Sequence, residues 1–380
     1  MLEAVALCAV GAEKTVSNEL RKLSLAVSEA GFGRVRFRAD SNGLYRALMG
    51  LRAADRLLLE VTCFKALDFD DLFEGVRREP WEDYIPSGLG LKVAKVRTNR
   101  SVLKAETSVQ AVVHKAAAER LCAKLKVNRL PENSDEAELR VYIEKDQASV
   151  LLDLSGAPLF KRGYRTRGGT APLRETTAAA IILHSGWRRK FPLYDPFCGA
   201  GTIAIEAAMF AWNIAPGIGR RFAIEHLLLG NKKTERRVRD EFLEKIDFTN
   251  LVRIGGSDSA SVAAAQANME QAITLAGQRK PDNLPFFKVL PMERAAPFTQ
   301  SDEAGFIITN PPYGRRLGDA ESAEKTYSEM GKLITNFPGW KLALICDHPG
   351  FESFFGRKAD SCREITNGAI NSYLYQYEKL

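Results

Sequence analysis

The 380-residue sequence contains only six cysteines and four histidines. The cysteines form no Cys-x-x-Cys pair and the histidines do not cluster, so neither a structural zinc site nor a disulfide framework is expected. No uninterrupted apolar run approaches the roughly 18 residues of a membrane span. Near the amino terminus, Glu3 stands where a signal peptide carries Lys or Arg, and the apolar run 4–12 is interrupted by Gly11. These features predict a cytoplasmic protein with no membrane and no metal partner.

The composition is that of a globular protein, with 45% hydrophobic and 27% charged residues. At about 100 to 200 residues per domain, the length accommodates two or three domains. We predict three units, spanning residues 1–65, 66–160 and 161–380. The first two show alternating strand and helix patterns and are predicted to be small α+β domains. Predicted strands are 5–10, 34–38, 91–98, 138–145 and 150–154, and predicted helices are 13–23, 71–78 and 108–125.

Positive charge is concentrated in one segment just after the second predicted boundary. Residues 1–160 carry 24 basic and 23 acidic side chains, whereas residues 161–190 carry eight basic side chains and one acidic one. The net charge of this short segment, +7, therefore equals the net charge of the whole chain. One interpretation is a solvated linker, and the other is an RNA phosphate-binding strip with Tyr164 as a stacking face. Under the second interpretation, the candidate RNA-binding residues are Lys161, Arg162, Arg165 and Arg167.

A glycine-containing turn is predicted between a strand and a helix at residues 193–202, which read Leu-Tyr-Asp-Pro-Phe-Cys-Gly-Ala-Gly-Thr. Small residues allow the backbone to approach a ligand, and the amides at the start of the following helix point toward it. Tight turns also need glycine, so the glycines alone are weak evidence. Asp195 disfavours a phosphate at this point, because an anion would meet a carboxylate, and favours a cationic ligand with an amino group.

A second acidic residue, Asp258, ends the short apolar strand predicted at 252–258. Acids at the ends of such strands commonly bind the two hydroxyls of a ribose. A helix N-cap at Asp258 or Ser259 is an equally good interpretation of this segment alone. The interval from Gly201 to Asp258 far exceeds the ~20 residues of a simple dinucleotide fold. We therefore predict an insertion at 212–248.

The most informative motif is Asn310-Pro311-Pro312-Tyr313, which follows the apolar run Phe-Ile-Ile-Thr. A buried strand is expected to present Asn310 at its carboxyl end, where two prolines restrict the following backbone. The Asn310 amide oxygen and the Pro311 carbonyl offer two acceptors for the two hydrogens of an exocyclic amine. Tyr313 is then placed to stack on the ring that carries the amine. The alternative, a purely structural turn, is less favoured because other strand-end motifs precede it.

Residues 66–160 resemble a THUMP domain, an RNA-binding module found beside RNA-modifying catalytic domains. The resemblance rests on the predicted strand 91–98, on residues 110–118 of the predicted helix 108–125 and on three short motifs. These motifs are Phe-Asp-Asp-Leu-Phe at 69–73, Pro-Trp-Glu at 80–82 and Ser-Val-Leu at 101–103.

The motifs at 193–202, 258 and 310–313 resemble those of class I methyltransferases that use S-adenosylmethionine to methylate planar amines. Together with the THUMP-like stretch, nearly the whole chain resembles the bacterial large-subunit rRNA guanine-N2 methyltransferase family. Further resemblance lies at 171–176, 355–358 and 366–370. The family implies an α/β fold, with ferredoxin-like α+β and THUMP domains before a Rossmann-like catalytic domain. It also implies a mostly parallel seven-stranded sheet in that domain.

The resemblance also implies roles for individual residues. The turn at 195–202 would surround the methionine part of the cofactor, Asp258 would hold its ribose, and residues 310–313 would hold the target base. The element near the adenine is often acidic in the family and reads Leu-Pro-Met-Glu at 290–293 here, so its register is open. The implied catalytic residues are Asn310, Pro311, Pro312 and Tyr313. The implied cofactor-binding residues are Glu175, Thr176, Asp195, Phe197, Cys198, Gly199, Ala200, Gly201, Thr202, Asp258, Ser259, Met292, Glu293 and Asn310.

The sequence thus predicts an S-adenosylmethionine-dependent enzyme that methylates the N2 amine of a guanine in RNA. Large-subunit rRNA is the favoured substrate and tRNA is an alternative. A DNA adenine-N6 or protein glutamine methyltransferase would use the same motif, but the THUMP-like half argues against both. A non-catalytic RNA-binding factor is the alternative from a different functional class.

Overall fold

The protein is described here from a computed structural model. Two seven-stranded sheets with helices packed against them form its framework. No helix among the described residues is both long and apolar enough to cross a membrane. The described residues are 1–132, 135–166, 173–250, 253–277, 281, 283–298, 304–313, 319–368 and 370–380, with only the backbone at 319–320.

The first sheet comprises the strands β1 (Leu2–Cys8), β2 (Ala26–Gly31), β3 (Arg34–Ala39), β4 (Ala54–Lys65), β5 (Gly90–Asn99), β6 (Glu136–Glu144) and β7 (Gln147–Asp153). Its helices are α1 (Glu13–Lys22), α2 (Ser41–Gly50), α3 (Phe69–Arg77) and α4 (Glu106–Leu125). The strand order is β2-β3-β1-β4-β7-β6-β5, and only the β5–β6 pair is parallel. In β3, Val35 and Phe37 are buried while the intervening Arg36 is half-buried, as the alternating pattern predicts.

The two predicted amino-terminal units contribute to one continuous sheet, which the sequence did not indicate. The twelve-residue β4 pairs with β1 through residues 54–59 and with β7 through residues 58–65. A single strand therefore supplies hydrogen-bonding partners to both units.

The second sheet comprises β8 (Leu193–Asp195), β9 (Ile254–Asp258), β10 (Phe286–Val289), β11 (Phe306–Thr309), β12 (Lys341–Cys346), β13 (Ser361–Asn367) and β14 (Ile370–Tyr377). Its helices are α5 (Glu175–His184), α6 (Thr202–Ala211), α7 (Lys232–Leu243), α8 (Ala263–Leu275), α9 (Asp319–Met330), α10 (Lys332–Asn336) and α11 (Phe351–Phe355). The order is β10-β9-β8-β11-β12-β14-β13, with β14 antiparallel to both neighbours. The predicted mostly parallel seven-stranded sheet is confirmed.

The direction of chain winding reverses at β8, because β9 and β10 extend to one side and β11 and β12 to the other. In open α/β sheets, ligands bind in the crevice beyond the carboxyl ends of the strands at such a reversal. Every residue of β11 is buried, as expected for a central parallel strand covered on both faces. The sheet therefore places the ends of β8, β9 and β11 together, and we call this part of the molecule the active-site edge.

A buried polar cluster joins the two halves of the molecule. Arg162 lies in the connection between the sheets, and its guanidinium donates to the backbone carbonyls of Leu159 and Arg52. Its Nε also faces the carboxylate of Glu206 on α6 at 3.4 Å, and the Tyr164 hydroxyl donates to the same carboxylate oxygen. The side chains of Arg162 and Glu206 are only 2% and 0% exposed. The buried guanidinium of Arg52 also interacts electrostatically with Glu206. We call Arg52, Arg162, Tyr164 and Glu206 the connecting cluster.

The connecting cluster yields a stability prediction. Arg162→Met leaves the Glu206 carboxylate buried without its cation, and we expect the free energy of unfolding to fall by about 3 to 5 kcal/mol. Arg162→Met combined with Glu206→Leu should cost less than Arg162→Met alone, because the carboxylate is removed together with its ion-pair partner. Thermal and urea unfolding monitored by circular dichroism would measure both variants.

The matched control is Arg236→Met on α7, where the Arg236–Asp240 pair is 3.9 Å apart and mostly exposed. That substitution should change stability by less than about 1 kcal/mol. Equal losses for Arg162→Met and Arg236→Met would show that the buried pair has no special structural role.

Candidate active site

The active-site edge brings together three side chains that the sequence predicted to act together. Asp195 ends β8, Asp258 ends β9, and Asn310 directly follows β11. β8 pairs in parallel with both neighbours, so the three positions lie at the same end of adjacent strands. Their convergence follows from the parallel register.

Asp195 is the most buried acid at this edge, with 2% of its surface exposed. Its Oδ1 accepts hydrogen bonds from the Thr309 hydroxyl at 2.6 Å and from the backbone amide of Phe197 at 3.1 Å. Burial nevertheless raises the pKa of Asp195 to about 7, with the nearby Asp258 adding to the effect. Desolvation disfavours the ionised form, so a cationic ligand beside Asp195 would restore it.

The turn between β8 and α6 depends on two glycines in left-handed conformations. Gly199 has φ +48° and Gly201 has φ +82°. A Cβ at Gly201 would lie 2.9 Å from the Cβ of Ala265 on α8, so Gly201 permits close helix packing. A Cβ at Gly199 would meet no atom within 4 Å, so that glycine faces open space. Gly199 thus borders the space for a ligand, whereas Gly201 is needed for packing.

The remaining turn residues contribute mainly through their backbone and packing. The Cys198 amide donates to the Ser257 carbonyl, and a Cβ at Gly256 would lie 2.7 Å from the Cys198 Cβ. Burial raises the pKa of the Cys198 thiol, which disfavours the reactive thiolate form. Phe197 is half-buried, and the carbonyl of Ala200 accepts a hydrogen bond from Asn268 Nδ2 at 3.1 Å.

Asp258 is half-buried, and its Oδ1 accepts from the backbone amide of Ala260 at 2.9 Å. Because α8 begins only at Ala263, neither Asp258 nor the exposed Ser259 is its N-cap, and the capping alternative is wrong. The carboxylate shapes the loop while remaining at the active-site edge.

In the Asn-Pro-Pro-Tyr motif, the Tyr313 hydroxyl donates to Asn310 Oδ1 at 2.7 Å. Tyr327 on α9 is fully buried, and its hydroxyl donates to the carbonyl of Pro312 at 2.8 Å. This hydrogen bond holds the loop against α9. Pro311 is buried and Pro312 exposed. Burial raises the pKa of Tyr313, which keeps the hydroxyl protonated. The side chain of Tyr313 is half-buried rather than open for stacking, and the Asn310 oxygen already has a donor.

Other predicted cofactor residues have different surroundings from those expected. The Thr176 hydroxyl donates to Asp55 Oδ1 of β4, which directs it toward the first sheet. Glu175 is buried against Arg165 at 2.8 Å, and burial raises its pKa. Met292 is 4% exposed and packs within the hydrophobic core, so it does not present its side chain to an adenine here. Glu293 is half-buried in the same 3₁₀ turn, Met292–Arg294.

The basic segment is not the continuous RNA-binding strip that the sequence suggested. Arg162 belongs to the connecting cluster and is inside the protein, so it is not available to a phosphate. Arg165 donates to Glu175, to the Leu173 carbonyl and to the hydroxyl of Thr202, the first residue of α6. Tyr164 is 1% exposed and offers no stacking face. Lys161 is exposed, and Arg167 lies outside the described residues.

Sequence reasoning missed two residues that organise the site. Thr309 connects β11 to Asp195, and its place before Asn310 at the end of an apolar run was a usable signal. Asn268 is fully buried on α8, and its Oδ1 accepts from the Thr166 amide at 3.0 Å. An amide in an alanine-rich helix gave little indication of this role. The described residues include no group of three or more His, Cys, Asp or Glu arranged to hold a metal.

Comparison with known proteins supports the geometric interpretation. The sequence model of the family of RMKL-like methyltransferase domains matches residues 162–376. The sequence model of the RlmL ferredoxin-like domain matches residues 3–58. YpsC, a candidate RNA methyltransferase of Bacillus subtilis, is 36% identical over 379 residues, covering 98% of this chain and 95% of that protein. The ribosomal RNA large subunit methyltransferase K/L of Cellvibrio japonicus is 32% identical, covering 98% of this chain and 50% of that protein. The chain thus spans about half the length of its K/L relatives.

Solved structures agree with this result. SMU.472, a candidate methyltransferase crystallised with SAH, has a TM-score of 0.88 and 36% identity, covering 100% of this chain and 98% of that one. A possible methylase of Clostridium difficile 630 has a TM-score of 0.90 and 36% identity, also covering 100% of this chain and 98% of that one. The combination of the catalytic sheet, the Asp195 turn, the Asn-Pro-Pro-Tyr motif and these matches establishes the family. The chain belongs to the RMKL-like family of S-adenosylmethionine-dependent methyltransferases.

Proposed function

We propose that this methyltransferase acts on RNA and transfers a methyl group to the exocyclic N2 amine of a guanine, with large-subunit rRNA as the favoured substrate. The observation that carries the proposal is the direct link between the two halves of the site. Thr309, which precedes Asn310, donates its hydroxyl to Asp195 at 2.6 Å. This hydrogen bond supports a site in which cofactor and target amine have a fixed relative position, as group transfer requires.

The residues at the active-site edge fit S-adenosylmethionine. When bound, this cofactor supplies an electrophilic methyl group on a sulfonium. Asp195 suits the cationic amino group of its methionine part, Gly199 leaves room beside the turn, and the half-buried Asp258 suits the ribose hydroxyls. Thr202 at the start of α6 is held by Arg165, which keeps the helix terminus beside the turn.

On the substrate side, Asn310 Oδ1 would accept a hydrogen from the target amine after exchanging its present donor, the Tyr313 hydroxyl. The Pro311 carbonyl would accept the second hydrogen, so that the nitrogen lone pair is directed away from the ring. No strong base is needed, because the nitrogen loses its proton only after it has become cationic. Release of the hydroxyl from Asn310 would also free the Tyr313 ring to move against the base.

We propose the unit boundaries 1–65, 66–160 and 161–380, with the first two units and the exposed Lys161 presenting RNA to the active-site edge. The names of the K/L relatives and of YpsC support RNA as the substrate class. The choice of guanine N2 rests on the motif and on the family resemblance. Transfer of a tritiated methyl group to large-subunit rRNA, tRNA, DNA and protein would test the substrate class. Nucleoside analysis of the product would identify the methylated atom.

The raised pKa of Asp195 predicts a pH-dependent cofactor affinity. Below pH 7 the carboxyl is largely protonated in the free protein, and an adjacent ammonium group would lower its pKa by favouring the ionised form. Binding should then release a proton, and affinity should rise over roughly pH 6 to 8 before levelling off. Calorimetry in buffers with different ionisation enthalpies would count the protons.

Asp195→Asn should weaken cofactor binding and remove this pH dependence. Asp70→Asn, at an exposed position on α3, is the control and should behave like the unaltered protein. An affinity that does not vary with pH in the unaltered protein would contradict the assigned role of Asp195.

The amine-binding role of Asn310 predicts a large catalytic effect. Asn310→Ala removes one of two acceptors, and we expect kcat to fall by about two to three orders of magnitude, as when one preorganised polar group is lost. Tyr313→Phe keeps the ring and removes the competing hydroxyl, so it should retain most activity. Single-turnover methyl transfer would measure both variants, with thermal melting as a check on folding.

Asn128→Ala, in an exposed turn, serves as the control and should have no effect. Near-normal transfer by Asn310→Ala would exclude the proposed amine contact. A lowered melting temperature in that variant alone would instead identify the motif as a structural turn.

A further inference from the structure

An exposed phenylalanine lies at the turn between β2 and β3, far along the chain from the active-site motifs. Phe32 is 90% exposed and has φ +43°, and Gly33 follows with φ +73°. Two consecutive residues with positive φ are typical of a tight hairpin turn, in which Asn or Asp is usual at the first position. A bulky residue in this conformation is strained and gains no burial in return. Strain of this kind is concentrated at ligand-binding positions.

Phe32 borders a groove of about 640 Å³ between the hairpin turn and α1. The groove is shallow and largely open to solvent. Lys14, Asn18 and Arg21 line the other side, one or two helical turns apart, so they share one face of α1. We call this feature the Phe32 groove.

The Phe32 groove has a positive lining. The side chains of Lys14, Asn18 and Arg21 are exposed, and in the described part of the chain the Arg21 guanidinium donates to Asn18 Oδ1 alone, at 3.2 Å. Among the described residues, no carboxylate forms an ion pair with Lys14 or Arg21. The one acid in the groove, Glu13, accepts from the backbone amides of Gly11 and Gly33. Glu13 therefore holds the turn in place, and the two cations stay available for an anion.

The Phe32 groove also lies on the same side of the molecule as the active-site edge. β13 runs parallel to β12, so its last residues lie at the carboxyl end of the sheet. Val10, in the loop after β1, exchanges two hydrogen bonds with Thr366 near the end of β13. β13 is three strand intervals from β11, which is roughly 14 Å at about 4.8 Å per interval. This value is the sideways separation of the two strands, and the Phe32 groove begins beyond β13 at Val10. An RNA strand with one base at Asn310 would therefore need several nucleotides to reach the groove.

We infer that the Phe32 groove binds an unpaired nucleotide of the RNA substrate, with the base stacked on Phe32 and phosphates beside Lys14 and Arg21. An aromatic face beside basic side chains is the usual means of binding single-stranded RNA. The inference rests on the proposed RNA substrate and adds a second contact outside the catalytic pocket. A protein partner would also cover an exposed phenylalanine, but it would not require two cations that lack acidic partners.

The test measures RNA binding separately from methylation. Phe32→Ala should raise the Kd of a single-stranded oligoribonucleotide about five- to 150-fold, the loss of one base stack. Phe32→Trp should retain binding, and the added tryptophan should lose fluorescence when RNA binds. Lys14→Ala and Arg21→Ala should each reduce the dependence of log Kd on log salt by about one. Cofactor affinity should not change in any of them.

Leu228→Ala, which removes another exposed apolar side chain, is the matched control and should leave the Kd unchanged. If Phe32→Ala binds RNA as well as the unaltered protein, or changes only the oligomeric state in sedimentation, the inference is wrong. Methyl transfer to RNA by the unaltered protein is measured in a separate assay. Phe32-dependent RNA binding without any transfer to RNA would overturn the proposed function but retain the groove.

Discussion

The hydrogen bond from Thr309 to Asp195 joins the two strands on which the proposed chemistry depends. Asp195 is held at the end of β8, where burial raises its pKa, and the Thr309 hydroxyl compensates part of the lost hydration. The same contact fixes the end of β11 and therefore the position of Asn310. The proposed cofactor and amine sites are thus connected through one buried carboxylate. A substitution at Thr309 should therefore affect both cofactor binding and the position of Asn310.

The connecting cluster extends this arrangement to the rest of the molecule. Glu206 lies one turn after Thr202 on α6, and Arg162 binds both Glu206 and the backbone of Arg52 in the first half. The helix that begins at the cofactor turn is consequently fixed to the amino-terminal sheet. The amino-terminal half and the active-site edge are therefore joined through buried polar contacts as well as through the chain itself.

The sequence predicted the strand-end motifs well because their chemistry is local. Asp195, Asp258 and Asn310 each follow or end a short apolar run. Parallel pairing of those strands is then enough to bring the three side chains to the same end of the sheet. The roles of Arg162 and Arg165 were not predictable, because a cation in a basic segment carries no local sign of a distant buried carboxylate. β2 was missed because most of its residues are exposed and no alternation is visible. The join between the amino-terminal units was missed because pairing on both sides of β4 depends on tertiary structure.

The sharing of β4 has a consequence for biogenesis. Residues 54–59 can pair with β1 as soon as they are synthesised, but β7, which pairs with residues 58–65, is synthesised only at 147–153. Until then the growing chain has an open strand edge, which is prone to aggregation. β7 leaves the ribosome before Arg162 and can then pair with the open edge of β4, so the catalytic half emerges after all strands of the first sheet. Cutting the chain near residue 65 would divide the hydrogen-bonding of one strand between two fragments, and we expect neither fragment to stay soluble alone.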